Sequence, residues 1–268
     1  PDRVVVGLED QNGRARNIME TLYRPLDAPI VFTNIRTAEL IKYASNSFLA
    51  TQISFINSLA ELSEEVGANL DEVSHAMRLD RRIGPKAFLS AGLGFGGSCF
   101  PKDIDALITT SREYNTPNEL LEQVRSVNYG QRTKAADKIE RILGDLQGKT
   151  VAVWGLSFKP NTDDTRESPS LDIIQNLQNR GASLRGYDPA GAEQAKEKID
   201  PHIISEDMYS TLDAADILFI ATDWNQFHNA DLDEVYRRLK NPIIFDGRNM
   251  FSRHDVEEKG FTYYGVGV

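Results

Sequence analysis

Apolar residues recur at helical spacing from about Asn34 to Val66, with neither proline nor glycine between them, at Leu40, Ile41, Ala44, Phe48, Leu49, Ile53, Ile56, Leu59, Ala60 and Leu62. So broad a stripe predicts one long helix, with Gly67 placed to terminate it. Such a helix spans roughly 50 Å. That exceeds what one small domain needs, so the helix is expected to link domains or to pack against a partner subunit. Further helices are predicted over residues 70–77, 104–113 and 118–143, which makes the middle of the chain all-helical.

Past Gly148 the rhythm changes. Short apolar runs at 151–154, 183–187, 217–221 and 243–245 alternate with amphipathic helical patterns at 171–178, ended near Gly181, and at 232–239. Strands alternating with helices imply parallel βαβ units and a doubly wound sheet. The fold class is therefore α/β, with an all-helical central region followed by a parallel-sheet domain. Ligands of such sheets bind beyond the carboxyl ends of the strands. This singles out Phe158-Lys159-Pro160-Asn161, Asp164-Thr165-Arg166-Glu167, Asp188-Pro189, Asp223-Trp224 and Arg248-Asn249. At the amino end, residues 4–6 and 29–32 read as strands and 17–23 as a helix. Two strands and one helix cannot cover a sheet by themselves. The chain also starts at Pro1 without a methionine, so residues 1–33 read as the end of a domain whose beginning is absent.

Composition narrows the classes. A chain of 268 residues suggests at least two domains, and domains of this size bury roughly 70 % of their unfolded surface without staples. A single cysteine excludes an intrachain disulfide framework and fits a reducing compartment. The net charge of -10 argues against non-specific binding to nucleic acid or to an anionic membrane, so an anionic ligand must be met by a local cluster of Lys and Arg. There is no signal-peptide pattern and no apolar run approaching a membrane span, and the expected location is the cytoplasm.

The candidate chemistry centres on Gly94-Phe95-Gly96-Gly97-Ser98-Cys99-Phe100-Pro101-Lys102-Asp103, which holds the one cysteine. Pro101 suits the first position of a helix, and Ile104, Leu107 and Ile108 continue it at helical spacing. Cys99 then sits just upstream of a helix N-terminus, where the macrodipole and Lys102 both favour a thiolate. A buried structural cysteine is the alternative, but glycines on one side and Pro-Lys-Asp on the other argue for a nucleophile. Gly92-Leu93-Gly94-Phe95-Gly96-Gly97 matches the dinucleotide fingerprint G-x-G-x-x-G by letter. That fingerprint must follow a strand and open a helix within a βαβ unit. Here residues 86–90 look helical and Ser98-Cys99 follows, so the match is rejected in favour of a flexible loop that lets a ligand approach the backbone near Cys99. A plain interdomain loop is the alternative.

Trp154-Gly155-Leu156-Ser157-Phe158-Lys159 has one glycine where a dinucleotide site wants three. Lys159 and Arg166 still place two cations beside a helix N-terminus, which suits phosphate, with a solvated charged loop as the alternative. Lys42 and Asn46 stand four apart on one face of the long helix, where inward-facing roles compete with plain surface positions. His75, His202, His228 and His254 lack metal-ligand spacing, so no metal is assigned.

At Gly94 to Asp103 the chain resembles the nucleotide-sugar 6-dehydrogenases of the UDP-glucose/GDP-mannose dehydrogenase family. The resemblance extends through Ala38-Glu39-Leu40-Ile41-Lys42-Tyr43-Ala44-Ser45-Asn46, Asp80-Arg81-Arg82-Ile83-Gly84, the stretch from Gly155 to Ser168, Tyr187-Asp188-Pro189 and Phe245-Asp246-Gly247-Arg248-Asn249. It implies a four-electron oxidation of a sugar C6 alcohol to a carboxylate with two NAD⁺ and one water. Cys99 matches the nucleophile that traps the aldehyde as a thiohemiacetal, later a thioester, splitting one hard step into easier ones. Lys42 and Asp103 match residues that stabilise oxyanions and handle protons or the hydrolytic water, and Asn46 joins Lys42 in holding that water and the sugar hydroxyls. Phe88, Leu89, Ser90, Ala91, Gly92 and Gly96 are expected along the nucleotide sugar, with Phe158 and Lys159 on the substrate side and Arg248 near the nucleotide. Lys102 and Arg166 are expected to approach NAD. Arg82 is expected to reach the neighbouring subunit's substrate across a homodimer built on the long helix.

The resemblance also implies three regions. Residues 1–33 are a remnant of an NAD-binding Rossmann domain, 34–130 a helical dimerisation and catalytic domain, and 131–268 a Rossmann-like UDP-sugar-binding domain. The family's complete NAD-binding domain and a further catalytic glutamate have no counterpart in this sequence, so the chain alone is expected not to turn over. UDP-glucose is the substrate its motif wording favours. The alternatives are GDP-mannose, a UDP-N-acetylhexosamine, or a non-catalytic module that binds a UDP-sugar and dimerises.

Overall fold

The computed structural model describes residues 1–10 and 12–268, which divide into two compact units, Pro1–Phe48 and Leu49–Val268. The first contains β1 (Val4–Gly7), α1 (Arg14–Tyr23), β2 (Ile30–Thr33) and the start of α2 (Ile35–Ser58). Its two strands pair in parallel from Val4↔Ile30 to Gly7↔Thr33. A Cβ at Gly7 would lie 2.9 Å from Ile35 Cα and from Ala38 Cβ, so glycine lets the helix start pack on the strand end.

The second unit continues with α3 (Ala60–Val66), α4 (Leu70–Leu79), α5 (Phe100–Glu113) and α6 (Glu119–Leu143). The parallel-sheet region then runs β3 (Thr150–Trp154), α7 (Pro169–Asn179), β4 (Ser183–Tyr187), α8 (Ala192–Ala195), β5 (Ile217–Ile220), α9 (Asn225–His228), α10 (Leu232–Arg238), β6 (Ile243–Asp246), α11 (Arg253–Glu258) and β7 (Thr262–Tyr264). The five strands are ordered β4-β3-β5-β6-β7 and every pair is parallel. Successive strand residues point to opposite faces. Val151, Val153, Phe219 and Phe245 accordingly pack under α6 and α7, while Ala152, Trp154, Leu218 and Ile220 pack with Val235 of α10 and Val256 of α11. A sheet covered on both faces is what continuous apolar runs require.

Two expectations need correction. The long helix is divided at Leu59, whose N–H bonds Ile56 O (3.1 Å) one residue early, while Ser58 Oγ competes for Phe55 O (2.6 Å). Residues 86–90 are not helical, because side chains of α2 take up the neighbouring backbone: Gln52 Oε1 accepts from Phe88 N (3.0 Å) and Asn57 Oδ1 from Gly92 N (2.8 Å). The helix predicted over residues 118–143 is α6, which runs unbroken through residue 130. Its first half packs with α2 and α5 through Leu121 and Val124, and its second half with the sheet through Ala135, Ala136 and Ile139.

Candidate functional site

Cys99 is exposed and is the N-cap residue of α5, so the first helical position belongs to Phe100 and Pro101 is second. The shift is harmless, since the proline still falls among the helix's first unpaired donors. Asp103 N donates to Cys99 O (2.9 Å), and the Asp103 carboxylate is buried. Lys102, expected to favour a thiolate, is bound 2.8 Å from Asp103 by its ammonium. The cation that senses Cys99 is Arg166. Its pKa is raised above the ordinary arginine value by its hydrogen bonds to Asp164 first, and also by the nearby Cys99.

The glycine loop ahead of Cys99 is packed by protein atoms. Gly94 has φ +94° with Asn128 against it, a conformation open to glycine. Asn128 then pairs both backbone groups of Phe95, accepting from its N–H (2.7 Å) and donating to its carbonyl (3.0 Å). A Cβ on Gly96 would lie 2.2 Å from Glu167 O, and Gly97 N donates to Arg166 O (2.9 Å). The expected open loop is therefore a wedged one, with Gly92 to Gly97 buried and Cys99 emerging beyond them.

A cleft lies on each side of this loop. The first, about 360 Å³, is lined among others by Phe88, Ser90, Ala91, Gly92, Gly96, Phe158, Lys159 and Arg248. These are residues that the family resemblance places on the substrate side, and the structure gathers them around one cleft. The Arg248 guanidinium donates to Ala221 O (2.7 Å) and Phe158 O (3.4 Å), and burial depresses its pKa against the pull of Asp223 and Asp246. Asp246, itself fully buried, accepts from Arg248 N (3.0 Å), Met250 N (2.8 Å) and Phe251 N (3.0 Å), and so fixes the loop that carries Arg248. The second cleft, about 510 Å³, brings Lys102 and Arg166 together with Ser98, Lys198, Asp105 and Glu167.

Other expected residues lie elsewhere. Leu89 is buried in a core cluster with Ile56 and Leu70. Arg82 is exposed and held by Asp80 (2.6 Å) outside the cleft lining. Lys42 is exposed and Asn46 buried, one turn apart on α2 in the first unit. Ile53 and Asn57 line the first cleft without having been singled out, and Gly94, Phe95, Phe100 and Asp223, noted only as parts of the glycine motif and of a strand end, line it too. Asn57 had a signal, since it follows Asn46 by eleven residues, about three helical turns. Asp188, although it follows a strand end, faces inward. Its Oδ2 accepts from Leu156 N, Ser157 N, Ser157 Oγ and Trp224 Nε1, and its Oδ1 from Ala190 N and Gly191 N. The carboxylate thus occupies the β3 turn, where a dinucleotide phosphate sits in a glycine-rich version of this fold.

Residues 36–130 match the central domain of the UDP-glucose/GDP-mannose dehydrogenase family, and residues 152–253 match its UDP binding domain. The chain belongs to this family. It is 45% identical over 271 residues to the UDP-glucose 6-dehydrogenase of Rhizobium meliloti (strain 1021), a match covering 100% of this chain and 62% of that protein. It is 42% identical over 267 residues to UDP-glucose 6-dehydrogenase TuaD of Bacillus subtilis (strain 168), covering 99% of this chain and 57% of the other. A UDP-glucose dehydrogenase structure from the hyperthermophilic archaeon Pyrobaculum islandicum aligns with TM-score 0.88 at 36% identity, over 100% of this chain and 59% of that one. The chain therefore spans about three fifths of the length of the relatives it matches.

Proposed function

We propose that this chain supplies the thiol-bearing and substrate-binding part of an enzyme that oxidises C6 of UDP-glucose to the carboxylate of UDP-glucuronate. The observation that carries this reading is one exposed cysteine at a helix N-cap whose chain neighbours line two clefts, each holding basic side chains. The first cleft takes the nucleotide sugar. Lys159 and Arg248 meet its diphosphate and nucleotide, and Phe88 and Phe158 offer apolar faces. The Cys99 sulfur adds to the C6 aldehyde carbon, the carbonyl oxygen takes a proton and a thiohemiacetal forms; once a hydride and that proton have left, the carbon is a thioester that water cleaves to the carboxylate and the free thiol. Buried Asp103 serves proton transfer beside the thiol, and the roles of Lys42 and Asn46 in oxyanion stabilisation rest on the family motif alone.

The second cleft suits the anionic part of a nicotinamide dinucleotide, since Lys102, Arg166 and Lys198 gather there around exposed Cys99's neighbour Ser98. Held by these cations, NAD would supply the hydride acceptor for the oxidation at C6. Phe48, Phe55 and Leu62 stand exposed at intervals of seven along α2 and α3, which supports a homodimer on this helix pair. Arg82 then extends toward the second copy.

Calorimetric titration with UDP-glucose, with GDP-mannose and UDP-N-acetylglucosamine as controls, tests the substrate. Selective UDP-glucose binding that weakens in Lys159→Ala is expected. Equal binding of all three, or preference for a control, overturns the sugar assignment.

A further inference from the structure

We propose that Asn128 and Arg132, one turn apart on α6, are positioning residues that set where the Cys99 thiol stands at the start of α5. This rests on the reading of Cys99 as the nucleophile, but not on the identity of the sugar.

Between Phe95 and Cys99 the chain has no regular structure of its own, so its path is set by what holds it. Asn128, 1% exposed, is the upstream anchor. Its amide donates to Phe95 O and accepts from Phe95 N, which only a side chain with both functions can do. It also fills the space a Cβ on Gly94 would take, with Oδ1 2.6 Å from that position. The downstream anchor is the pair of carbonyls of Arg166 and Glu167, one accepting from Gly97 N and the other pressed against Gly96.

Those carbonyls do not hold themselves. Glu167 has φ +50°, a left-handed conformation that is unfavourable for a residue with a side chain and persists only where its surroundings impose it. Arg132 supplies that support. Its guanidinium donates to Glu167 O (3.4 Å), is ion-paired with Asp172, and lies 4.4 Å over the Tyr129 ring. The Tyr129 hydroxyl in turn donates to Glu167 Oε2 (3.3 Å). Asn128 and Arg132 thus act through different segments on one four-residue path. The segment Arg132 holds also carries Arg166, the cation that senses Cys99. Displacing either anchor changes how the sulfur is presented at the start of α5, and alkylation of the thiol reads that presentation.

The test is iodoacetamide alkylation of the single cysteine at one fixed pH, without ligand. It compares Asn128→Asp, Arg132→Lys and the control Ser54→Ala, which removes a buried bond from α2 to Val124 O of the same helix. Urea midpoints are measured alongside. We expect Asn128→Asp and Arg132→Lys to slow alkylation at least fivefold. Ser54→Ala, with a comparable loss of stability, should react at the wild-type rate. Tyr129→Phe, an exposed position that folds in any event, is expected to slow it about twofold. Either main variant reacting at the wild-type rate while folded overturns the proposal, as does Ser54→Ala slowing equally. Should neither main variant fold, an unchanged rate in Tyr129→Phe overturns it. No nucleotide sugar enters the measurement, so failure to bind UDP-glucose and failure of this proposal are separate results.

Discussion

Two loops of this molecule face the same problem and solve it to opposite ends. The turn after β3 and the glycine loop before α5 both carry backbone N–H groups that no strand or helix pairs, and both are pinned by a polar side chain from elsewhere. At the β3 turn the pin is Asp188, whose carboxylate accepts six hydrogen bonds, including those of Leu156 N, Ser157 N, Ala190 N and Gly191 N. At the glycine loop the pins are the neutral amides of Asn57 and Asn128. The charged pin consumes the turn as a binding site, because an anion already sits there. The neutral pins hold the backbone without filling the adjacent space, and the loop ends on an exposed thiol. Glycine count is therefore a poor guide to where an anion binds. What matters is whether the protein has already supplied the anion.

The largest effect follows from removing the charged pin. Asp188→Ala strands four backbone donors and the Trp224 indole in a buried turn, and should destabilise the chain by about 4 kcal/mol. The midpoint of urea unfolding measures it. A loss no larger than that of an ordinary surface substitution would break the contrast between the loops. Next comes the glycine loop itself. Gly96→Ala forces a methyl group onto Glu167 O, so the expected loss is about 2 kcal/mol. UDP-glucose binding should weaken with it, because the first cleft is lined by Gly96.

How much of this was legible in the sequence follows the same line. The helix-strand alternation, the parallel sheet and the cluster at Phe158, Lys159 and Arg248 could be read because period-2 and period-3.6 patterns are local, and because strand ends have a known use. Cys99 at a helix start could be read from Pro101 and the apolar spacing behind it. The two anchors could not. Asn128 lies inside a regular helix, and nothing local separates it from any polar helical residue, since its partner Phe95 is 33 positions away. Asp188 was flagged by its place after β4, but its inward turn depends on Trp224 and Gly191 closing over it. The division of the long helix at Leu59 was hidden for a related reason. Ser58 competes with the backbone for a carbonyl, an effect that a propensity scale averages away.

A smaller effect sharpens the contrast from the ligand's side. Lys159 is exposed and its ammonium lies 5.4 Å over the Phe158 ring, so its removal should leave the fold intact. Lys159→Ala is expected to weaken UDP-glucose roughly tenfold, about 1.4 kcal/mol, in calorimetric titration. Unchanged affinity would mean that the first cleft meets the diphosphate through Arg248 alone.

The smallest effect concerns a third pinned carboxylate, at the opposite end of the sheet. Asp216 precedes β5, accepts from Thr150 N (2.9 Å) at the start of β3, and pairs with Lys240 (2.9 Å). Burial pushes its pKa up, but the Thr150 N–H and the Lys240 ammonium outweigh it and hold the carboxyl below its ordinary value of 3.8. A carboxyl lowered in the folded state stabilises fully above its unfolded value, and that contribution is lost as pH falls through the folded one. Asp216→Asn should therefore lower stability by about 1 kcal/mol at neutral pH. The gap between variant and wild-type urea midpoints should narrow as pH is brought down toward about 3. A gap that stays constant over that range would assign the Asp216 contribution to hydrogen-bond geometry rather than charge. In that case a carboxylate and an amide would be equivalent pins at the amino ends of the strands. The advantage of a charged pin would then be confined to turns like that of Asp188, where several backbone donors converge on one group.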